Sequence, residues 1–212
     1  MNGTRSEIDH YIRMSEEVFC PIYPYLCDSL LDRVSLPIEQ MRVIDLGGGS
    51  GLWLEAMLDK GAASGTLIDA SEQMITYAKS RIAEKFTSEQ FCAITGLADK
   101  IPLADASHNV VISRSSMHMW ANLEKCWQEM FRVLSDSGIA FLGRGYGPDL
   151  PDEIRQAVKM ARKKIRTEEQ SDFKEEPASP EPTTIVNMAF ETGFKEVSLI
   201  KDNKAVWILA QK

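Results

Sequence analysis

Four glycines crowd into five positions, Gly47, Gly48, Gly49 and Gly51, between "RVIDL" and "LWLEAM". The run from Met41 to Leu46 is apolar and β-branched, which predicts a buried strand. The residues from Gly51 to Asp59 carry a helical apolar pattern that stops at Lys60-Gly61. A strand, a glycine turn and a helix place backbone N–H groups within short range of a ligand. The spacing restricts which ligand. A dinucleotide fingerprint, G-x-G-x-x-G, needs its third glycine at position 52 or 54, where Leu52 and Leu54 stand. A phosphate-cradling loop needs Gly-Lys-Ser/Thr, and Gly51 is followed by Leu52. Both phosphate readings weaken, and the pattern left is Asp45-x-Gly47-x-Gly49-x-Gly51.

The rest of the chain alternates in the way this turn requires. "SGTLIDA", "FCAITG", "NVVISR" and "GIAFLGRG" read as further strands, with helices from Ser71 to about Phe86 and over "NLEKCWQEMFRVL". Alternation of this kind predicts a mostly parallel sheet covered on both faces. Before it, Ser6 to Phe19 and about Pro24 to Val34 read as two helices, with Ser6 as a cap, available as a lid. After it come a charged helix opened by Pro151, an acidic, proline-rich loop "QSDFKEEPASPEP", a short helix stopped by Gly193, and two strands joined through Asp202-Asn203. We expect one structural domain, with a helical cap over residues 1–40 and the ligand-binding body over 41–212.

Composition narrows the partners. With 212 residues, 44% of them hydrophobic, the chain is long enough for one full core. Its net charge of -7 disfavours the phosphate backbone of nucleic acid as a partner. No apolar run approaches a membrane span and no charged-then-apolar signal segment opens the sequence, so the expectation is a cytoplasmic protein without a membrane partner, monomeric or homodimeric. Cys20, Cys27, Cys92 and Cys126 form no C-x-x-C pair. Four reduced thiols and no metal is the main reading, with a thiol site near Cys20 and Cys27 as the alternative.

The glycine spacing resembles the first motif of the class I S-adenosyl-L-methionine (SAM)-dependent methyltransferases. That resemblance implies a Rossmann-like seven-stranded sheet, mostly parallel with its last strand antiparallel, an N-terminal helical lid, and SAM as cofactor. It implies that Gly47, Gly48 and Gly49 lie against the amino-acid and ribose part of SAM, with Asp45 supporting the turn and the ammonium. In "TLIDAS", Asp69 ends the second strand, 20 residues after Gly49, where a carboxylate can accept from two vicinal ribose hydroxyls. Ala70 adjoins it, and Met74 matches the family's apolar residue beside the adenine. "TGLADKIPLADASHNVVISR" resembles the family segment that closes over the adenine, with Gly96, Ala98, Pro102, Asp105, Ser107 and Val111 in register. It departs at Leu97, which stands where an acid usually accepts from the adenine amino group, at His108 for Phe, and at Asn109 for Asp. Adenine would then be held by backbone groups at Leu97 and Ala98, helped by Asp99. "CWQEMFRVLSDSGIAFLG" is similar to the family's next helix, turn and strand. The resemblance covers about Met41 to Lys212 and is nearest the small-molecule group that includes quinone and sterol C-methyltransferases.

Methyl transfer from a sulfonium needs positioning and exclusion of water more than proton chemistry. The candidates for that work follow the fourth and fifth strands, since ligands of open α/β sheets bind beyond the carboxyl ends. In "SRSSMHMW", Arg114 is expected to line the cofactor pocket. His118 is a general base or a substrate-orienting or structural histidine, and Trp120 is a wall of the acceptor pocket or core packing. In "GRGYGPDLP", Arg144 is a candidate to fix a carboxylate or phosphate, and Tyr146 to orient or deprotonate the acceptor. Tyr23 or Tyr25 of "PIYPY" is a candidate acceptor contact from the lid. Two competing functions remain at this point: a nicotinamide-dependent oxidoreductase, and a SAM-binding module without catalysis.

Overall fold

The computed structural model describes residues 5–168, 180–202 and 205–212, with side chains described from residue 7. Ser6 lies within α1, which already includes Arg5, so it does not stand before that helix as a cap; most of the acidic, proline-rich stretch and Asn203 of the closing turn lie outside the described residues. The first helix, α1 (Arg5–Arg13), is followed by a π-helical turn over Met14–Phe19, a 3-10 turn over Cys20–Ile22 and α2 (Tyr23–Leu31). The expected single helix to Phe19 therefore leaves α geometry at Arg13. Pro21 and Pro24 supply no backbone N–H, so the chain cannot keep one α register through this segment. The wider π turn is the one that carries Phe19 over the Arg114 guanidinium, 4.7 Å from its ring centre.

The body is one sheet. Its strands are β1 (Arg42–Leu46), β2 (Ser64–Asp69), β3 (Phe91–Thr95), β4 (His108–Arg114), β5 (Leu134–Gly143), β6 (Glu196–Asp202) and β7 (Ala205–Gln211). They lie in the order β3-β2-β1-β4-β5-β7-β6. The first five pair in parallel, and β7 runs antiparallel to both of its neighbours. Between them run α3 (Leu52–Asp59), α4 (Glu72–Ile82), α5 (Leu123–Val133), α6 (Asp152–Glu168) and α7 (Pro182–Thr192). The order reverses between β1 and β4, which is the switch point where open α/β sheets leave a crevice.

Strand side chains alternate between two cores, as burial on both faces demands. Val43, Val110, Ile112 and Phe141 pack with α2, α3 and the π turn. Ile44, Val111, Ala140 and Leu142 pack with Trp127, Met130 and Ile185 of α5 and α7. Each buried apolar side chain of this size contributes about 1.5–3 kcal/mol. Trp53, Phe141 and Trp207 meet with ring centres 5.1–6.0 Å apart, joining α3 to β5 and β7 beneath the crevice. β5 begins at Leu134 rather than at the expected Gly138. Leu134 pairs with His108, and the register slips before Val110 meets Ile139.

His108 and Asn109, the two departures at the start of β4, act as structural latches. Asn109 Oδ1 accepts from the N–H of Arg42 at 2.7 Å, and its amide donates to Gln40 O at 2.8 Å, fixing the start of β1. His108 lies within hydrogen-bond distance of Thr66 Oγ1 (3.1 Å) and Ser107 Oγ (2.9 Å). Burial, with the Arg42 charge nearby, pushes its pKa down to about 4, so the ring is neutral at pH 7.

Candidate functional site

The glycine turn is held from three sides. Gly47 N–H donates to Ile68 O at 2.7 Å, which ties it to β2. Ser113 Oγ donates to Leu46 O at 2.6 Å, Ser116 Oγ lies 3.2 Å from the same carbonyl, and the two hydroxyls are 2.5 Å apart. The end of β1 is thereby bound to the end of β4. A Cβ on Gly47 would lie 2.6 Å from that of Ser116, and one on Gly51 would lie 2.7–2.8 Å from Ile82 and Leu67. Those two glycines serve the protein's own packing. Gly49 differs. It has a φ of +53°, and a Cβ there would lie 2.9 Å from ring atoms of Tyr11 and closer still to its hydroxyl. The backbone approach that the glycine run allows is taken up by a tyrosine from α1.

Asp69 closes the turn toward β2. Its Oδ2 accepts from Gly49 N–H at 2.9 Å and its Oδ1 from Ser71 N–H at 2.8 Å. A carboxylate has about four lone-pair sites, so each oxygen retains capacity for one hydroxyl of a vicinal diol. Ser71 caps α4, accepting from Met74 N–H. Ala70 is exposed beside Asp69, while Met74 is buried at 6% exposure. After β3, Leu97 is 56% exposed and its carbonyl accepts from Lys100 N–H, while Ala98 is half-buried. The segment from Leu97 to Asp105 is braced by α5. Glu129 accepts from Ile101 N–H, and Arg132 donates to Ile101 O, Leu103 O and Asp105.

Beside the turn, Tyr11, Tyr23, Asp45, Gly47, Gly48, Trp53 and Arg114 line one crevice, with a residual cavity of about 10 Å³. That is room for one water at most, against roughly 300–1,000 Å³ for a cofactor-sized pocket. Tyr11, 45% exposed, is one wall of this crevice. Asp45 is 2% exposed, beneath Gly48. Burial pushes its pKa up to about 7; the N–H of Leu54 and, more weakly, the Arg114 charge hold it down, and Asp69 raises it. Arg114 donates to Gly145 O at 3.0 Å and to the Tyr23 hydroxyl at 3.2 Å, with its guanidinium between the rings of Phe19 and Tyr23 at 4.7 and 5.3 Å.

The structure therefore brings Asp45, Gly47, Gly48, Gly49, Asp69, Arg114 and Tyr23 together. Trp120 stands over the turn, its Nε1 3.9 Å from the Cβ position of Gly47, and closes a 3-10 turn over Met117–Met119. His118 is half-buried on that 3-10 turn, and Arg144 and Tyr146 are half-buried in the loop after β5. Tyr146 packs 6.2 Å, ring to ring, from Phe19. Tyr25 packs against the core under α2. Sequence reasoning missed Tyr11, Trp53, Phe19 and the Ser113–Ser116 pair. Only the serines carried a local signal, two small hydroxyls three residues apart at a strand end. Cys20 and Cys92 are exposed while Cys27 and Cys126 are buried, and all four are free thiols. Among the described residues no three His, Cys, Asp or Glu side chains converge as metal ligands, and no helix is long and apolar enough to cross a membrane.

A crevice at the switch point of this strand order, with an acidic residue under a glycine turn and a carboxylate ending β2, defines the class I SAM-dependent methyltransferase type. Residues 44–142 match the family model described as a methyltransferase domain. A Methanococcus maripaludis protein described as an S-adenosyl-L-methionine-dependent methyltransferase shares the fold, with a TM-score of 0.81, 23% identity, and 100% of this chain and 96% of that one covered. So does Haemonchus contortus phosphoethanolamine N-methyltransferase 2, in complex with phosphomonomethylethanolamine and S-adenosylhomocysteine, at a TM-score of 0.72 and 14% identity over 99% of this chain and 57% of that one. Among curated relatives, malonyl-[acyl-carrier protein] O-methyltransferase of Nitrosospira multiformis is 27% identical over 191 residues, 76% of this chain and 62% of the relative. The chain spans about half the length of the curated relatives it matches.

Proposed function

We propose that this chain is an enzyme that transfers the methyl group of S-adenosyl-L-methionine to a small-molecule acceptor. The observation that carries the reading is Asp69, whose two oxygens already hold Gly49 N–H and Ser71 N–H and so present their remaining lone pairs beside the glycine turn. The crevice fits the rest of the cofactor by charge. Asp45 and Arg114 line the same pocket with opposite signs, which suits the ammonium and carboxylate of an amino-acid end. Five N–H donors on Arg114 leave capacity after Gly145 O and Tyr23. Leu97 and Ala98 offer backbone groups and an exposed apolar surface for adenine, and Met74, buried in the first turns of α4, is the apolar residue assigned to it. Tyr11 must swing off Gly49 for the cofactor to seat.

The cofactor supplies an activated methyl group on a sulfonium. The chain's own residues then have to orient the acceptor and keep water out, work worth up to about 7–11 kcal/mol in favourable cases. Trp120, Tyr23 and the loop bearing Arg144 and Tyr146 are the acceptor walls in this reading. Arg144 fixes an anionic group of the acceptor, and Tyr146 orients it. In this reading His118, on the 3-10 turn that Trp120 closes, accepts a proton if the acceptor atom carries one. The four unpaired thiols support a reducing, cytoplasmic setting.

Calorimetry with SAM and its demethylated product tests the proposal. The expected dissociation constant lies in the micromolar range, and Asp69→Ala weakens it about 100-fold or more, the scale of two charged hydrogen bonds. Absence of binding to a folded sample, or wild-type affinity in Asp69→Ala, contradicts it.

A further inference from the structure

The loop after β5 is held by an ion pair that touches none of the crevice. Asp202, at the end of β6, is 4% exposed, and Arg155, on α6, is 7% exposed. Arg155 Nη1 lies 2.8 Å from Asp202 Oδ1. Both partners also grip one residue: Asp202 Oδ2 accepts from Gly147 N–H at 3.0 Å, and Arg155 Nη2 donates to Gly147 O at 2.9 Å. The other end of the loop is fixed where Ser115 N–H donates to Gly143 O at 2.8 Å. Between the two anchors stands Gly145, with a φ of +98° and its Cβ position 3.0 Å from Asp202 Oδ2. Its carbonyl receives Arg114 Nη1.

A buried ion pair is weak as a source of stability, because desolvation offsets most of the attraction and a well-packed apolar pair does as well. Its asset here is geometry. A fork and a carboxylate clamp both polar groups of one peptide residue, which fixes position and rotation together. The element so fixed aims the guanidinium that lines the cofactor crevice.

We propose that Asp202 and Arg155 are positioning residues of the cofactor site, acting through Gly147 and the Gly145 carbonyl to hold Arg114 in place for the cofactor's carboxylate. The C-terminal hairpin and α6 thereby control an affinity they do not touch. This rests on the reading of Arg114 as a cofactor contact, and the test separates the two.

The experiment is a double-mutant cycle on the full chain, read by calorimetric binding of S-adenosylhomocysteine, with thermal melts recorded alongside. Arg114→Ala is expected to weaken binding about 30-fold, the loss of a charged hydrogen-bonded contact. Asp202→Asn should weaken it about tenfold in the wild-type background and under twofold in the Arg114→Ala background, because its route to the ligand has been removed. A general softening of the fold would cost the same factor in both backgrounds, and that result overturns the proposal while leaving Arg114 as a contact. Wild-type affinity in Asp202→Asn overturns it equally. Wild-type affinity in Arg114→Ala removes the Arg114 reading and the proposal together. If Asp202→Asn does not fold, Arg155→Lys carries the same cycle, since it keeps the charge and loses the fork that spans Asp202 and Gly147.

Discussion

The two halves of the crevice are built by different means. On the side of β1 and β2, the site is main chain: a glycine turn, N–H groups bound to Ile68 O and Asp69, and a helix capped by Ser71. On the side of β4 and β5, it is side chain, with Arg114 stacked by Phe19 and Tyr23 and hung from Gly145 O. Main-chain geometry is local and follows from a few consecutive residues. The second half draws on α1, the π turn, α2, β4, the loop after β5, α6 and β6, so its assembly depends on long-range packing.

The largest expected effect tests whether the first half is as rigid as this contrast requires. Gly49→Ala combines a left-handed φ with a methyl group in the crevice, and should reduce affinity for S-adenosylhomocysteine about 100-fold by calorimetry. A loss under threefold would mean that the ligand does not approach this residue. Tyr11→Ala acts on the second half. If Tyr11 occupies the cofactor's seat in most molecules, its removal should raise the association rate about tenfold in stopped flow, as a competent fraction near one tenth implies. An unchanged or slower rate would show that Tyr11 does not gate the crevice.

Asp45 separates function from stability. Its carboxyl has a folded-state pKa near 7, above the unfolded value, so the favourable contribution is present below about pH 4 and is lost as pH rises to about 7. Asp45→Asn removes the buried charge. It should raise the Tm at pH 8 by about 5 °C, the scale of ~2 kcal/mol in a chain of this size, while weakening cofactor binding about tenfold. A lower Tm would mean that the charge is compensated in the fold. His108 titrates with the opposite sign over nearly the same window. Its folded pKa is depressed to about 4, so its contribution is complete above about pH 6.5 and is lost as pH falls toward 4. Wild-type stability should therefore be nearly flat between pH 4.5 and 6.5, and His108→Gln should make it climb on acidification. The smallest effect sharpens the adenine side: Leu97→Asp restores an acceptor at an exposed position and should tighten binding about fivefold.

The same contrast explains what could be read from residues in order. The sheet was legible because buried parallel strands and amphipathic helices leave periodic marks, as in Val43–Ile44 and in Trp127, Met130 and Val133. Asp45, the glycines and Asp69 were legible because each is tied to neighbours on one turn or one strand end. Tyr11 was not, since an exposed-looking residue of an N-terminal helix carries no mark of the turn it will meet 38 residues later. Phe19 ends a stretch that reads as one helix, because a π turn has no composition signature. The Arg155–Asp202 pair was invisible for a simpler reason: an arginine in a charged helix and an aspartate in a turn are ordinary until the sheet closes.

The central claim is that the Gly47–Gly49 turn and Asp69 hold the ribosyl-methionine end of the cofactor. A crystal structure with S-adenosylhomocysteine tests it most directly. The account predicts both ribose hydroxyls on the Asp69 carboxylate, the amino-acid end between Asp45 and Arg114, and Tyr11 displaced from Gly49. Ligand bound elsewhere, with the Tyr11 hydroxyl still on Gly49, would contradict it.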